Sequence, residues 1–424
     1  MSSLVSAIKD FRKKSPLAFF ITVHTVIFLL VFTVLGQLSY SPGALELSFA
    51  RQILSGEIPY RDFTSEYPPL ALLSFVLPAL VSRRDLVYGL AFAVEMLLLD
   101  FLILKLLAVL DRCLKIPHER TLTVYTLFVF AVGPIIISRY DILPAALTLA
   151  AIASFVTNLN ALAFALVALG VTAKVYPIII APLMVIYLLR DLNMKKLIWG
   201  SISFITTLLV LNLPFYLASP ENFIGFLTYH AERGLHSEST YASWLLISKL
   251  LGLTDVTGVF SYGSWNLASP LADKLAKLSF PFSAILLFVL YAVYAWKLWK
   301  SPRNNLMSSE NARDFVRFST LSVAIFIASS KVFSVQYLIW LMPLIPLTEA
   351  KQTTVMWFIF AVIGIMTQFI YPYNYLNFES FLTPYVLVII FRNILFVALT
   401  ILIATSGRDV NKRLQSLASS DSRL

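Results

Sequence analysis

Long apolar runs follow one another along most of this 424-residue chain, and they limit its possible folds more than any other feature. Apolar residues make up 58% of the sequence and charged residues only 13%, with a mean hydropathy of +0.80. A water-soluble domain of this size contains a smaller fraction of apolar residues, and the strands of a β-barrel would alternate apolar with polar residues. The sequence therefore predicts an all-α polytopic membrane protein. A single cysteine, Cys113, excludes an intrachain disulfide and a cysteine metal cluster.

The apolar runs also predict the topology. A short run at 69–82 would reach only about 21 Å as a helix, less than a hydrocarbon core of about 30 Å. If 69–82 does not cross, 21 Lys and Arg residues lie on the cytoplasmic side and 11 outside, whereas crossing reverses the bias to 13 and 19. We therefore predict about 12 transmembrane helices with both termini in the cytoplasm, and a re-entrant or interfacial helix at 69–82. The predicted spans are 17–36, 86–108, 121–138, 141–157, 161–174, 176–190, 196–216, 279–300, 315–330, 335–349, 353–370 and 382–405.

The domain organisation follows from the same runs. We expect one transmembrane domain over 1–405, with two large outer loops at 37–85 and 217–278. The polar, Ser-rich segment 406–424 is expected to be a disordered cytoplasmic tail. The net charge of +10 reflects the cytoplasmic bias, so no nucleic-acid partner is expected.

Polar motifs interrupt the apolar runs, and the predicted topology places all of them on the outer side of a cell membrane. Two hairpins, 160–190 and 315–349, are short for two crossings, which need about 40 residues. Their tips, Lys174 and Lys331, are therefore expected to lie below the membrane surface in an outward-facing cavity. A lysine at that depth is costly unless it faces water or an anion. Converging motifs on one face predict a single active site.

Three carboxylates of the first outer loop, Glu46, Asp62 and Glu66, are candidate general bases. An acid beside an apolar surface has a raised pKa and still accepts a proton near neutral pH. The alternative is a solvated loop whose acids pair with Arg51 or Arg61.

Several cations suit the binding of a phosphate group. Lys174 and Lys331 would act as mobile point charges, and the alternative is a lysine that extends from a helix end towards water. Arg139 and Asp141 suit a polar floor for a sugar or phosphate, or else a helix cap with a local ion pair. His230 and Arg233 are three residues apart and would share one helix face.

Charges within the spans and the remaining histidine have simpler explanations. Intramembrane Glu95, Asp100, Lys105 and Arg392 are expected to form structural ion pairs between helices. His236 lies six residues from His230, which fits no helical zinc pair, so no metal site is predicted.

These motifs resemble those of the GT-C superfamily of integral-membrane glycosyltransferases, and within it the polyprenyl-phosphate-mannose-dependent α-1,2-mannosyltransferases. An aspartate that usually stands some 14 residues before the loop glycine is missing, since that position is Pro42. The role of the base is therefore expected to pass to Glu46 or another acid of the loop, or the chain is a non-catalytic homologue that binds a lipid-linked sugar. The matching segments are Ala50–Gly56, Pro59–Phe63, Glu66–Leu70, Arg139–Pro144, Lys174–Pro177, Tyr229–Leu235 and Lys331–Trp340.

The resemblance implies a hexosyltransferase that moves a sugar, with mannose expected, from a polyprenyl-phosphate donor lipid to a glycan or glycolipid acceptor. It implies inverting transfer by general-base catalysis, membrane lipids as surroundings, and neither a cofactor nor a metal. A polytopic transporter or lipid flippase is the alternative, although no internal repeat is visible. The residues that the resemblance assigns to the donor phosphate and sugar are Arg139, Asp141, Lys174, Tyr176, His230, Arg233, Lys331, Gln336 and Tyr337.

Overall fold

Helices form nearly all of the regular structure in the computed structural model of the chain, which describes residues 10–37, 42–300, 307–349 and 352–406. These residues divide into two compact units, the first ending at Glu232 and the second containing nearly everything from Arg233 onwards. A nearly all-helical membrane protein, as the apolar runs predict, is confirmed. The predicted tail beyond Ser406 lies outside the described residues, as does the stretch 38–41 of the first outer loop.

Proline and glycine set several helix boundaries in the first unit. Helices start at Pro69 and Pro220, where the missing N–H falls in the first turn and breaks no intrahelical hydrogen bond. Gly133 and Pro134 separate two helices where the sequence predicts one span. The helices are α1 (Pro16–Gln37), α2 (Ala44–Leu54), α3 (Pro69–Val81), α4 (Asp85–Leu114), α5 (His118–Val132), α6 (Ile135–Ser138), α7 (Ile142–Val156), α8 (Asn160–Ala173), α9 (Ala181–Arg190), α10 (Met194–Ala218) and α11 (Pro220–Glu232), with a 3-10 turn at Tyr176–Ile180.

The second unit combines helices with a small sheet. Its strands are β1 (Leu235–His236), β2 (Thr257–Ser261) and β3 (Ser264–Ala268). Its helices are α12 (Thr240–Leu250), α13 (Pro270–Trp299), α14 (Ser309–Ser329), α15 (Leu338–Leu341), α16 (Thr353–Ile370), α17 (Tyr375–Glu379) and α18 (Thr383–Thr405), with 3-10 turns at Val335–Tyr337 and Ile345–Leu347.

The antiparallel sheet, in the order β1-β3-β2, corrects the prediction of a purely α-helical chain with a loop at 217–278. Tyr262 and Gly263 have φ values of 51° and 65°, as a two-residue hairpin turn between twisted strands requires. The pattern is short and lacks the usual Asn-Gly signal, so the hairpin is hard to recognise in the sequence. The same region contains α11 and α12, and α13 begins at Pro270, before the predicted start of its span.

Among the residues that the structure describes, five helices are long and apolar enough to cross a membrane, and several shorter apolar helices accompany them. The chain is therefore a membrane protein, while its multi-pass topology, the count of about 12 crossings and the orientation of the termini stay predictions. The predicted span 335–349 is broken, because two 3-10 turns flank the four-residue helix α15. The five long helices or their apolar parts are Pro16–Leu35, Met194–Ala218, Pro270–Trp299, Thr353–Ile370 and Thr383–Thr405.

Buried polar contacts join helices at two of the intramembrane charges for which the sequence predicts structural pairs. Asp100 accepts a hydrogen bond from Tyr125 at 2.7 Å and contacts His24 Nδ1 at 2.5 Å. Arg392 contacts the carboxylate of Glu238 at 2.9 Å. Both contacts are of a structural kind, but their partners, His24 and Glu238, are not among the intramembrane charges of the prediction.

Candidate active site

Glu46 lies in the first turn of α2 and only 2% of it is exposed. The helix begins after Gly43, which has a left-handed φ of 70°. A Cβ atom at Gly43 would lie 2.9 Å from Tyr88 Cε1 and 3.0 Å from Phe92 Cγ, so the backbone there approaches α4 more closely than any side chain allows. This close approach brings the start of α2 against α4, and Glu46 lies on the buried face of the first turn, whereas Leu45 on the other face is exposed.

Replacing Gly43 by Ala is expected to displace the start of α2 and to lower transfer activity at least tenfold, because both the φ value and the space exclude a Cβ atom. Gly252→Ala is the matched control, since Gly252 has a φ of 69° but no atom within 4 Å of its Cβ position. Both variants should lose some thermal stability, and only the first should lose activity per folded molecule. Equal activities would contradict the role of the close approach.

Three further predicted site residues, Arg139, Asp141 and Lys174, lie around Glu46. The Lys174 ammonium contacts Asp141 Oδ1 at 2.6 Å, with 19% of the lysine side chain and 1% of the aspartate side chain exposed. Burial raises the pKa of Glu46, and the positive charge of Arg139 opposes that rise most strongly. The charges of Asp141 and Lys174 also act on this pKa, which places all four groups within electrostatic reach. We call these four residues the Glu46 cluster.

The cap alternative for Asp141 is wrong. Asp141 precedes α7, but its side chain makes no capping hydrogen bond to the helix. It instead accepts from Lys174, 33 residues further along the chain. Asp141 therefore holds the lysine of a different motif in place.

Two tyrosine rings, those of Tyr67 and Tyr140, lie beside the Glu46 cluster. Neither tyrosine is among the predicted site residues. Lys174 Nζ lies 4.9 Å from the centre of the Tyr140 ring, and Tyr140 meets Tyr67 edge to face at 5.4 Å. Burial and the negative charges of Glu46 and Glu66 hold the pKa of Tyr67 well above its usual value. Its hydroxyl therefore stays protonated and able to donate. The signal in the sequence is that both tyrosines lie inside the segments that carry the family resemblance.

The loop between α2 and α3 has internal hydrogen bonds and packs against α11. The Tyr60 hydroxyl donates to the Tyr67 carbonyl at 2.5 Å, and the Tyr60 ring packs against Phe223 of α11 at 5.2 Å. His230 Nε2 lies 3.1 Å from the carbonyl oxygen of Glu66. The structure thus places His230 against the loop backbone.

Asp62 is an exposed residue paired within its own loop. Its carboxylate accepts from the Arg61 guanidinium at 2.9 Å and from the Ile58 amide at 2.7 Å. These contacts lower the pKa of Asp62 to about 2, the Arg61 hydrogen bond contributing most. A carboxylate with so low a pKa is a weak proton acceptor, so the alternative of an arginine-paired acid describes Asp62.

Replacing Asp62 by Asn is accordingly expected to change transfer activity by less than about threefold, because an exposed ion pair in water contributes little. Initial rates in lipid nanodiscs would measure this. A loss of a hundredfold or more would return Asp62 to the candidate bases.

Two predicted site residues of the second unit, Arg233 and Lys331, contact strands of the small sheet. Arg233 Nε donates to Ser264 Oγ at 3.0 Å, and it does not share a helix face with His230 because α11 ends at Glu232. Burial and then the positive charge of Arg233 lower the pKa of Lys331, so the two cations lie within electrostatic reach of each other. The Lys331 carbonyl accepts from the His236 amide at 3.0 Å.

Three predicted ligands have contacts of other kinds. The Tyr176 hydroxyl is buried and bonded to Thr148 Oγ1 at 3.1 Å, which makes it part of the core. Gln336 and Tyr337 lie in a 3-10 turn, and the Tyr337 ring stacks on Trp340 at 3.9 Å.

Residues 63–312, more than half of the sequence, match glycosyltransferase family 87. The chain belongs to glycosyltransferase family 87. This family 87 protein is therefore a membrane glycosyltransferase, with donor and acceptor substrates, and not a transporter or flippase. No curated protein matches it. The family match includes Arg139, Asp141 and Lys174 but begins after Glu46, so the case for Glu46 rests on geometry.

Proposed function

We propose that this family 87 enzyme has a GT-C-like architecture and transfers a hexose, with mannose expected, from a polyprenyl-phosphate donor to an acceptor hydroxyl with inversion. The observation that carries the proposal is the Glu46 cluster, where a buried carboxylate lies within electrostatic reach of two cations. A general base needs a raised pKa, and a departing phosphate needs positive charge.

Glu46 supplies the base. One of its oxygens, Oε1, is buried and has no hydrogen-bond partner among the residues that the structure describes. That oxygen takes the proton of the acceptor hydroxyl while the hydroxyl oxygen bonds to the anomeric carbon. The bond from the anomeric carbon to the phosphate oxygen breaks on the opposite face, which inverts the configuration, and the polyprenyl phosphate leaves with both bonding electrons.

Arg139 and Lys174 stabilise the leaving phosphate, whose negative charge grows as the bond breaks. Asp141 holds Lys174 by the 2.6 Å contact, and the Tyr140 ring lies beneath the same ammonium. The lysine is thus positioned before substrate binds, which lowers the cost of organising the transition state. These cations supply the positive charge, so the proposal requires no metal or cofactor.

The membrane supplies the donor. Helix α10 presents apolar side chains to its surroundings, and no residue of its most apolar stretch is buried inside the protein. A polyprenyl chain is soluble in such surroundings, and the positive-inside count supports a position of the Glu46 cluster towards the outer face. Glu66 and His230, which belong to the same unit as the Glu46 cluster, would contribute further contacts to donor and acceptor.

A transfer assay tests the proposal. The protein in lipid nanodiscs would receive polyprenyl-phosphate-mannose and, separately, polyprenyl-phosphate-glucose, with glycolipid and glycan extracts as acceptors. Mass spectrometry should detect an acceptor that gains one hexose, and anomer analysis should show inversion. Binding of neither donor, with nucleotide sugars active instead, would overturn the proposal.

A further inference from the structure

The five residues 236–240 join β1 to α12, and we call them the 236–240 turn. Three of its polar atoms, His236 Nδ1, Ser237 Oγ and Thr240 Oγ1, are buried and have no hydrogen-bond partner among the described residues. Only 3% of His236 and 3% of Ser237 is exposed. Buried polar side chains nearly always have a partner, so three such atoms within five residues indicate a place where a polar ligand binds.

The backbone of the 236–240 turn is fixed on both sides. The His236 amide donates to the Lys331 carbonyl, and the Ser237 amide donates to the Trp265 carbonyl, both at 3.0 Å. The Ser239 amide donates to the His236 carbonyl at 2.9 Å, and the Ser239 side chain caps α12. These bonds fix the backbone positions from which the side chains of His236 and Ser237 extend.

A buried ion pair anchors the centre of the turn. Arg392 Nη1 donates to the Glu238 carboxylate at 2.9 Å, and its Nη2 donates to the Glu238 carbonyl at 2.7 Å. Asn393 donates to the carbonyls of Glu238 and Ser239, each at 3.1 Å. The guanidinium also lies 4.3 Å from the centre of the Phe333 ring, in the segment that carries Lys331. One side chain thus holds both segments, and the three unpaired atoms are preorganised.

The unpaired groups are neutral, which indicates the kind of ligand. Burial and the positive charges of Arg233 and Arg392 hold the pKa of His236 well below its usual value, so the imidazole stays uncharged. A neutral imidazole and two hydroxyls offer both donors and acceptors. A sugar hydroxyl needs both, whereas a phosphate oxygen only accepts. Arg233 and Lys331, close by, can attract an anionic group attached to the same ligand.

We propose that the 236–240 turn is a binding subsite for hydroxyl groups of a pyranose ring, contacted by His236, Ser237 and Thr240. This inference rests on the proposed function in one respect, the assumption that a sugar substrate is present. The sugar of the donor and the sugar of a glycan acceptor share this chemistry, and the transfer experiment below separates them.

Direct binding of simple pyranosides tests the subsite without any reaction. Methyl α-D-mannopyranoside and methyl α-D-glucopyranoside would be observed by saturation-transfer NMR on the protein in nanodiscs, with empty nanodiscs subtracted. Ser237→Ala and Thr240→Val each remove one hydroxyl and should weaken binding about fivefold, the usual effect of one neutral hydrogen bond. Ser248→Ala is the control, because that exposed hydroxyl of α12 bonds to its own helix.

Equal pyranoside binding by the wild type and both variants, or none by the wild type, would overturn the subsite. A higher unfolding temperature of Ser237→Ala together with unchanged binding would also overturn it, since removal of an unused buried hydroxyl stabilises a protein.

The transfer reaction then assigns the sugar. A raised KM for the polyprenyl-phosphate sugar in the two variants would assign the subsite to the donor, and a raised KM for the acceptor would assign it to the acceptor. Unchanged KM values for both would contradict a role in the reaction. The proposed function fails separately, through the absence of hexose transfer by the wild type, which leaves the pyranoside result readable.

Discussion

Replacing Glu46 by Gln is expected to lower the rate of hexose transfer by about a thousandfold, within the range that a general base contributes. Glutamine has nearly the same size and keeps the α2 contacts, but it cannot accept the acceptor proton. Donor binding should persist, because Arg139 and Lys174 remain. Single-turnover rates with bound donor would measure the loss in the chemical step.

The pH dependence should identify the same group. Burial raises the pKa of Glu46 above the ordinary glutamate value of 4.5, so activity should rise with pH along a limb centred above that value. Stability should move the other way. The folded protein binds this proton more tightly than the unfolded chain, so the Glu46 contribution to stability falls as pH rises from the ordinary value through the raised one. Glu46→Gln should therefore unfold at a higher temperature than the wild type at neutral pH.

Glu57→Gln is the matched control, an acid of the same loop outside the Glu46 cluster, and it should leave rate and stability nearly unchanged. A Glu46→Gln enzyme that keeps more than a tenth of its activity would contradict the assignment of the base. Glu66→Gln would then be the next variant to measure, since the negative charge of Glu66, like that of Glu46, acts on Tyr67.

The second large effect is expected for Lys174→Gln, which should lower both stability and activity. Removing one member of a buried ion pair leaves the other without its counter-charge and costs about 3–5 kcal/mol. Asp141 is 1% exposed, so it cannot turn to solvent instead. The variant also removes one of the two cations proposed to stabilise the phosphate, and a kcat lower by about a hundredfold is expected.

A second substitution separates these two effects. Asp141→Asn in the Lys174→Gln background removes the remaining buried charge of this pair and should restore much of the unfolding temperature, but kcat should stay low. Lys297→Gln provides the comparison, because Lys297 forms a similar partly buried pair with Asp314 at 2.5 Å within the second unit. It should lower stability without lowering activity per folded molecule. Recovery of activity in the double variant would assign Lys174 a purely structural role.

Local patterns select several residues that the structure brings together. The short length of the 160–190 hairpin selects Lys174, and the structure places this lysine with 19% of its side chain exposed in contact with Asp141. The same patterns could not rank the three loop carboxylates. Glu46 is buried, Asp62 is exposed, and the difference arises from packing of α2 on α4 through Gly43. No periodicity in the loop encodes that contact.

Long-range pairs are beyond sequence reasoning for a related reason. Asp141 pairs with Lys174 across 33 positions, and Glu238 pairs with Arg392 across 154. A charged residue in a sequence has many possible partners, and which one it meets depends on which helices pack together. From the sequence, His236 of the 236–240 turn could be considered only as a zinc ligand. The lack of hydrogen-bond partners at its side chain is visible only in the structure, where burial removes water as a possible partner.

The membrane class, the helical character and the membership of family 87 can be read from the amino-acid sequence, since they depend on composition, on local periodicity and on ordered motifs. Three features follow only from the packed chain: which carboxylate is buried within reach of cations, which charges pair, and which polar atoms lack partners among the described residues. Desolvation explains the difference. A side chain's pKa, the strength of its ion pair and its need for a hydrogen-bond partner all change when packing excludes water, and packing joins residues that are far apart in the chain.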